Sequence, residues 1–239
     1  MLQNKIKLLV IGGNRLNELN PFKALIELNK KYKVELFILT ENVHLKKSVN
    51  YNNLTFKNFL EKLKLKYFRI KDNTHLYTTI KKIGCDPNTY ILLMNCNFII
   101  KSNIISLLDQ NIYNLHIGKL PEQRGAGVTT WQFMSKIDVS AATIHRVKLS
   151  LDAGNIILQK KINTKNLQKP IDFYKKAAKY EKIVLDKFLS GIVKKKKFKE
   201  IKQNENNSIY MPRIDTNTHS YINWSWTKNE ILSFIKAFD

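Results

Sequence analysis

Lys7-Leu8-Leu9-Val10-Ile11-Gly12-Gly13 is a short apolar run closed by a glycine pair. Such a run, bounded by turn residues, reads as a strand buried on both faces, the mark of a parallel sheet. Working outward, Asn20 to Tyr32 carries Leu25 and Leu28 on one helical face with Pro21 near its start. Val34 to Thr40 is the next strand, followed by a helical pattern at Asn73 to Ile83 and a buried strand at Tyr90 to Met94. A helix around Ser102 to Leu108 and a strand at Ile112 to Leu115 continue the alternation. Strands alternating with amphipathic helices predict the α/β class: a Rossmann-like, mostly parallel sheet with helices on both faces. Gly12-Gly13 lacks the GxGxxG spacing, so it reads as a tight strand-to-helix turn with no nicotinamide cofactor implied. The long helix Pro170 to Leu189 sets Phe173, Ala177, Tyr180, Val184 and Phe188 at helical spacing, with Ser190-Gly191 after it, and closes the sheet domain. Beyond Lys194 to Lys197, strand-like pieces at Ile209 to Arg213 and Tyr221 to Trp226 flank a turn, and Lys228 to Phe238 reads as a short helix. The expected organisation is a main sheet domain over 1–191 and a small C-terminal subdomain, a β-hairpin (β-ribbon) and helix, over 192–239.

A chain of 239 residues with 44% hydrophobic and 10% aromatic content can bury a real core, which excludes gross disorder. Two cysteines, Cys85 and Cys96, with no CxxC pair exclude a disulfide scaffold and a cysteine zinc site. Leu8 to Ile11 is far too short for a signal peptide or a membrane helix, so the expectation is a cytoplasmic protein with no membrane partner. Forty-one basic against nineteen acidic residues give a net charge of +22, which alone points to nucleic acid. Only five of the basic residues are arginine, however: Arg15, Arg69, Arg124, Arg146 and Arg213. Bidentate phosphate and base recognition favours arginine, and the lysine runs are scattered without an RNA-binding or zinc-finger pattern. The charge reads as a solvated surface with no nucleic-acid partner, though its positive field favours a phosphorylated substrate.

The residues with chemistry begin at Asn114-Leu115-His116, at the end of a predicted parallel strand, where open α/β sheets place their ligand crevice. A turn-rich loop follows, Gly118-Lys119-Leu120-Pro121-Glu122-Gln123-Arg124-Gly125, then strand-like Ala142-Thr143-Ile144-His145 and Leu151-Asp152-Ala153-Gly154-Asn155-Ile156-Ile157. Two positions apart on an extended strand, Asn114 and His116 point to the same side. An imidazole, titrating near ~6.5 when unperturbed, suits a base. An amide donates hydrogen bonds to developing charge without titrating, and a carboxylate such as Asp152 orients an imidazole or holds its charged form. His145 reads as packed within its strand or as a neighbour supporting the site residues, and His44, His75 and His219 as surface. No metal-ligand spacing is present, and Cys96 has no adjoining base to make it a nucleophile.

The ordered set NxH, LPxxRG, TIH and DxGxI, with 36 residues from His116 to Asp152, resembles the folate-dependent formyltransferases that use N10-formyltetrahydrofolate. The resemblance implies a base role for His116, an oxyanion donor in Asn114 and an orienting or proton-relaying carboxylate in Asp152. It implies that the formyl donor binds along Met94, Asn95, Cys96, Asn97 and Phe98 and along the loop Leu149, Ser150, Leu151, largely through backbone groups. Ile117-Gly118 replaces the family's Pro-Ser, and Asn155 replaces the second Asp of DxGDIL. Arg124-Gly125 and the tail segments Tyr210 to Arg213, Tyr221 to Ser225 and Ile231 to Asp239 resemble the sugar and initiator-tRNA branches more than the glycinamide ribonucleotide branch. The tRNA branch carries a further domain, whereas this chain ends at Asp239. The implied substrate is therefore an amino sugar linked to a nucleoside diphosphate, with dTDP-4-amino-4,6-dideoxyglucose of O-antigen and lipopolysaccharide synthesis as the expectation. Arg124 with Gly125, or Arg213, would clamp the diphosphate, and Tyr210, Tyr221 or Trp224 would stack on the base. The resemblance also implies a homodimer with the C-terminal ribbon near its interface. The alternatives are a methionyl-tRNA or glycinamide ribonucleotide formyltransferase, and a basic RNA-binding module without activity.

Overall fold

A computed structural model describes residues 5–13, 20–48, 54–108 and 111–238; Arg15 and Asp239 lie outside the described residues. The first half alternates β1 (Lys7–Gly12), α1 (Asn20–Tyr32), β2 (Glu35–Glu41), α2 (Asn42–Leu45), α3 (Phe56–Lys62), β3 (Lys66–Ile70), α4 (Asn73–Ile83), β4 (Thr89–Met94) and α5 (Ser102–Ile105). It continues through β5 (Ile112–Ile117), β6 (Arg124–Gly125), α6 (Val128–Met134), β7 (Val139–Arg146), β8 (Ile156–Asn163), α7 (Pro170–Val193), β9 (Tyr210–Met211), α8 (Thr216–His219) and α9 (Lys228–Phe238). Seven strands form one sheet in the order β3-β2-β1-β4-β5-β7-β8. The pairs among β1 to β5 are parallel, and β7 and β8 complete the sheet antiparallel.

Alternating strand residues are sorted between two apolar layers. Leu8, Val10, Tyr113, Leu115 and Ile117 join Phe22 and Leu25 of α1 and Phe173, Ala177 and Phe188 of α7 on one face. Leu9, Ile11, Ile91 and Leu93 join Leu76 and Ile80 of α4 and Ile104 of α5 on the other. This is the expected α/β sheet with helices on both faces. Tyr113 meets the Phe188 ring edge-on at 4.9 Å, and Phe198 stacks on Phe188 at 5.8 Å.

Three departures have physical reasons. The stretch between β2 and α4, for which no element was assigned, holds α2, α3 and β3; α3 is started by the Thr55 side chain, which accepts from the Asn58 N–H. The long helix does not stop before Ser190-Gly191 but runs to Val193. Gly191 serves packing there, because a Cβ would lie 2.5 Å from the Phe198 ring. The C-terminal β-hairpin is not formed. Tyr210–Met211 pairs in parallel with Arg124–Gly125 as a separate two-stranded sheet, and 220–227 is irregular before the expected helix α9. Gly125 makes that pairing possible: its φ is +109, and a Cβ would lie 2.1 Å from the Met211 carbonyl oxygen.

Candidate active site

Strand β5 sends alternate side chains to opposite faces of the sheet. Leu115 and Ile117 enter the core, so Asn114 and His116 face the opposite side. The antiparallel partner β7 places His145 opposite Asn114 and Thr143 opposite His116. Asp152 arrives from the loop joining β7 to β8, with a left-handed φ of 51. The three groups singled out in the sequence, two from one strand and one from 36 residues further on, therefore converge on one cleft.

Their contacts define donors and acceptors. Asn114 Nδ2 donates to Asp152 Oδ1 at 3.1 Å and meets His145 Nε2 at 3.1 Å. Since a carboxylate only accepts, the amide nitrogen is the atom that faces it. The Gly125 N–H donates to Asp152 Oδ2 at 2.9 Å, and His116 Nδ1 lies 3.6 Å from the same oxygen. His116 Nε2 donates to the Gln123 carbonyl at 2.6 Å, which makes Nδ1 the nitrogen able to take a proton. Gly118 permits this contact, because a Cβ there would lie 2.4 Å from His116 Nε2. His145 Nδ1 donates to the Arg146 carbonyl at 2.7 Å, leaving Nε2 to accept from Asn114.

Burial alone would raise the Asp152 carboxyl, but the neighbouring His116 and His145 imidazoles and the Gly125 N–H outweigh it and hold the group well below the usual carboxylate range. Asp152 is thus a fixed negative charge beside two imidazoles. Burial pushes the Cys96 thiol up to about 12, which leaves it protonated and without nucleophilic power at neutral pH.

The cleft is about 300 Å³ and is lined by Asn114, His116, His145, Gly125 and Asp152 at its floor. Asn95, Cys96, Asn97, Phe98, Leu149 and Leu151 line the same space, as the resemblance implied for the formyl donor. Met94 does not: it is buried in the core. Ser150 borders a neighbouring cavity together with Lys148 and Arg146. Ile99, Leu149 and Leu151 are exposed on the rim, an apolar edge suited to a flat heteroaromatic ring. Among the described residues no cluster of His, Cys, Asp or Glu could hold a metal ion, and no helix is long and apolar enough to cross a membrane.

The expected substrate contacts divide. Arg213 lines the cleft, on a segment held by the Trp131 indole N–H, which donates to the Pro212 carbonyl at 2.8 Å. Arg124 cannot clamp a diphosphate: its guanidinium is buried and donates to Gln203 Oε1 at 3.1 and 2.9 Å and to both Glu205 carboxylate oxygens at 2.8 and 2.9 Å. Tyr210, Tyr221 and Trp224 are exposed outside the cleft lining.

One histidine differs from its sequence reading, and another has both of the roles read for it. His44 is fully buried, not on the surface, because Gly13 leaves room for its ring, and Asn97 Nδ2 donates to its Nε2 at 2.7 Å. His145 is packed as expected but also touches both Asn114 and Asp152. Strand register is the signal that finds it. Gln203, in a polar stretch with no motif, had no signal of its own.

A family model described as "Formyl transferase" matches residues 55–189, more than half of the chain. The chain belongs to the formyl transferase family. Among curated relatives, a methionyl-tRNA formyltransferase of Clostridium tetani is 23% identical over 171 residues, covering 72% of this chain and 54% of that protein. The chain thus spans about half the length of that relative. Among solved structures, an N-formyltransferase from Helicobacter canadensis in complex with folinic acid and dTDP-3-aminofucose superposes with a TM-score of 0.74 at 20% identity, covering 98% of this chain and 80% of that one. A 4-N formyltransferase from Francisella tularensis gives a TM-score of 0.69 at 20% identity, covering 97% and 87%. At these identities the likeness establishes the shared fold.

Proposed function

We propose that the protein is a sugar N-formyltransferase that moves the formyl group of N10-formyltetrahydrofolate to the amine of a dTDP-linked amino-dideoxy sugar. The single observation carrying this reading is the cleft itself, where an amide, an imidazole and a carboxylate face one space bordered by an apolar rim. The dTDP-3-aminofucose bound in the Helicobacter canadensis structure, which matches 98% of this chain, supports the sugar branch.

When bound, the folate supplies the formyl carbon, and its rim would be Ile99, Leu149 and Leu151. His116 Nδ1 takes the proton that the amine loses as the new C–N bond forms, and returns it to the nitrogen that departs as the old one breaks. Asp152, ionised and 3.6 Å away, stabilises the imidazolium between those steps. Asn114 Nδ2 donates to the oxygen that gains charge. To do so it leaves His145 Nε2 and Asp152 Oδ1, while the Gly125 N–H keeps its hold on Asp152 Oδ2. Arg213 at the cleft clamps the diphosphate. Exposed Tyr221, Trp224, Leu232 and Ile235 in the C-terminal segment fit a homodimer interface, and a cytoplasmic role in O-antigen synthesis fits a nucleotide-sugar substrate.

The test supplies N10-formyltetrahydrofolate with a panel of dTDP-, UDP- and GDP-linked 3-amino and 4-amino sugars. Tetrahydrofolate should accumulate only when donor and a dTDP-amino sugar are both present. Equal release without an amine sinks the transferase reading in favour of a hydrolase. A second reading, methionyl-tRNA formylation, is favoured by the Clostridium tetani relative. Formylation of charged initiator tRNA, with no turnover of any sugar, would establish it instead.

A further inference from the structure

Asp152 is gripped at both ends. Its carboxylate receives hydrogen bonds from Asn114 and the Gly125 N–H. Its backbone sits at a φ of 51, a left-handed turn conformation that Asp adopts more readily than most non-glycine residues. The group that holds this turn is Gln203, 51 positions away and nearly fully buried. Gln203 Nε2 donates to the Asp152 carbonyl at 2.7 Å and to the Gly154 carbonyl at 2.7 Å. Its Oε1 accepts twice from Arg124, whose remaining donors hold Glu205. Arginine only donates and carbonyls only accept, so one orientation of the Gln203 amide satisfies all four contacts.

We propose that Gln203 is a positioning residue for formyl transfer: its amide clamps the turn at Asp152 and Gly154 and thereby holds the carboxylate against His116 and Asn114. The clamp deepens the reading above and rests on Asp152 belonging to the transfer site. Arg124 anchors the clamp, and Glu205 anchors Arg124, which gives these two residues an internal task in place of a ligand contact. A side chain that merely tied the C-terminal segment to the sheet domain would cost stability when changed, independently of Asp152.

Gln203→Glu separates the two roles. A carboxylate keeps the Arg124 contact, but it has no hydrogen for the two carbonyls and is repelled by them. The expected result is a loss of kcat of roughly 10²-fold, the scale of a misplacement of about 1 Å, with KM for both substrates within roughly twofold. In an Asp152→Asn background the same change should cost nothing more. In the ¹⁵N-histidine NMR titration, with His116 assigned by its absence in His116→Ala, the His116 midpoint should fall in Gln203→Glu as the carboxylate withdraws. Glu205→Gln, at an exposed side chain, should move kcat and the midpoint in the same directions by less, and reports on the clamp if Gln203→Glu does not fold. An unchanged kcat, a full additional loss in the Asp152→Asn background, or an unmoved His116 titration in a folded variant would overturn the clamp. A wild-type protein that transfers no formyl group sinks the functional reading alone, because the titration still reports whether Gln203 holds Asp152 beside His116.

Discussion

Asn114, His116 and Asp152 illustrate how much chemistry three side chains acquire from their surroundings. His116→Ala should lower kcat by about 10²–10⁴-fold, the usual range for a lost general base. Asn114→Ala should lower it by about 10²–10³-fold, as for a lost oxyanion donor, both read in the donor-plus-amine assay against unchanged circular dichroism. The lowered Asp152 ionisation also sets a direction for stability. Below about pH 4 the unfolded chain takes up a proton that the folded carboxylate refuses, so stability present above that pH is lost as pH falls toward the folded value. Melting temperatures from pH 3 to 7 should therefore drop at the acid end in the wild type and flatten in Asp152→Asn, which is also less stable at neutral pH. An equally steep acid limb in the variant would remove Asp152 as its source. At this scale the triad was legible, because residue types in a fixed order are visible in a chain. The partner atoms were not: the Gln123 carbonyl on His116 and the two carbonyls on Gln203 are main-chain groups, which any residue supplies.

Elements decide where those side chains meet. The parallel strands β1, β2 and β4 and the helices α1 and α4 were readable because continuous apolar runs and 3.6-residue spacing are local signals. The short elements α2, α3 and β3 carry too few residues for a periodicity to emerge. The C-terminal segment misled for a related reason. Ile209 to Arg213 has the alternation of a strand, but its partner is the two-residue piece Arg124–Gly125 and not its own sequence neighbour. Gly125→Ala tests that pairing: a Cβ 2.1 Å from the Met211 oxygen, at a φ of +109, should cost about 1–3 kcal/mol in urea unfolding and lower turnover, because the Gly125 N–H also holds Asp152. Unaltered stability and turnover would show that the β6–β9 contact contributes nothing to the site.

At the scale of the whole molecule the surplus of positive charge runs along the entire chain, with Lys148 and Arg213 lining the cleft. A net charge of +22 spread over scattered lysines should make sugar-nucleotide turnover only mildly salt-sensitive. Raising salt from about 50 to about 200 mM should raise KM for the acceptor by less than about tenfold, whereas an RNA ligand neutralising several phosphates would lose about 10³–10⁵ in affinity. A loss on the latter scale would favour the tRNA reading. The family itself was legible in the chain, since the NxH, LPxxRG and DxGxI segments need no coordinates to be seen. The order of residues by itself determined the α/β class, the two apolar layers and the three candidate side chains of the site, because burial period and chemical type are written locally. Only the tertiary structure decided that Arg124 serves Gln203 and Glu205, that His44 is buried, and that Gln203 reaches the Asp152 turn. Those outcomes depend on which distant segments share a volume, and sequence separation does not encode that.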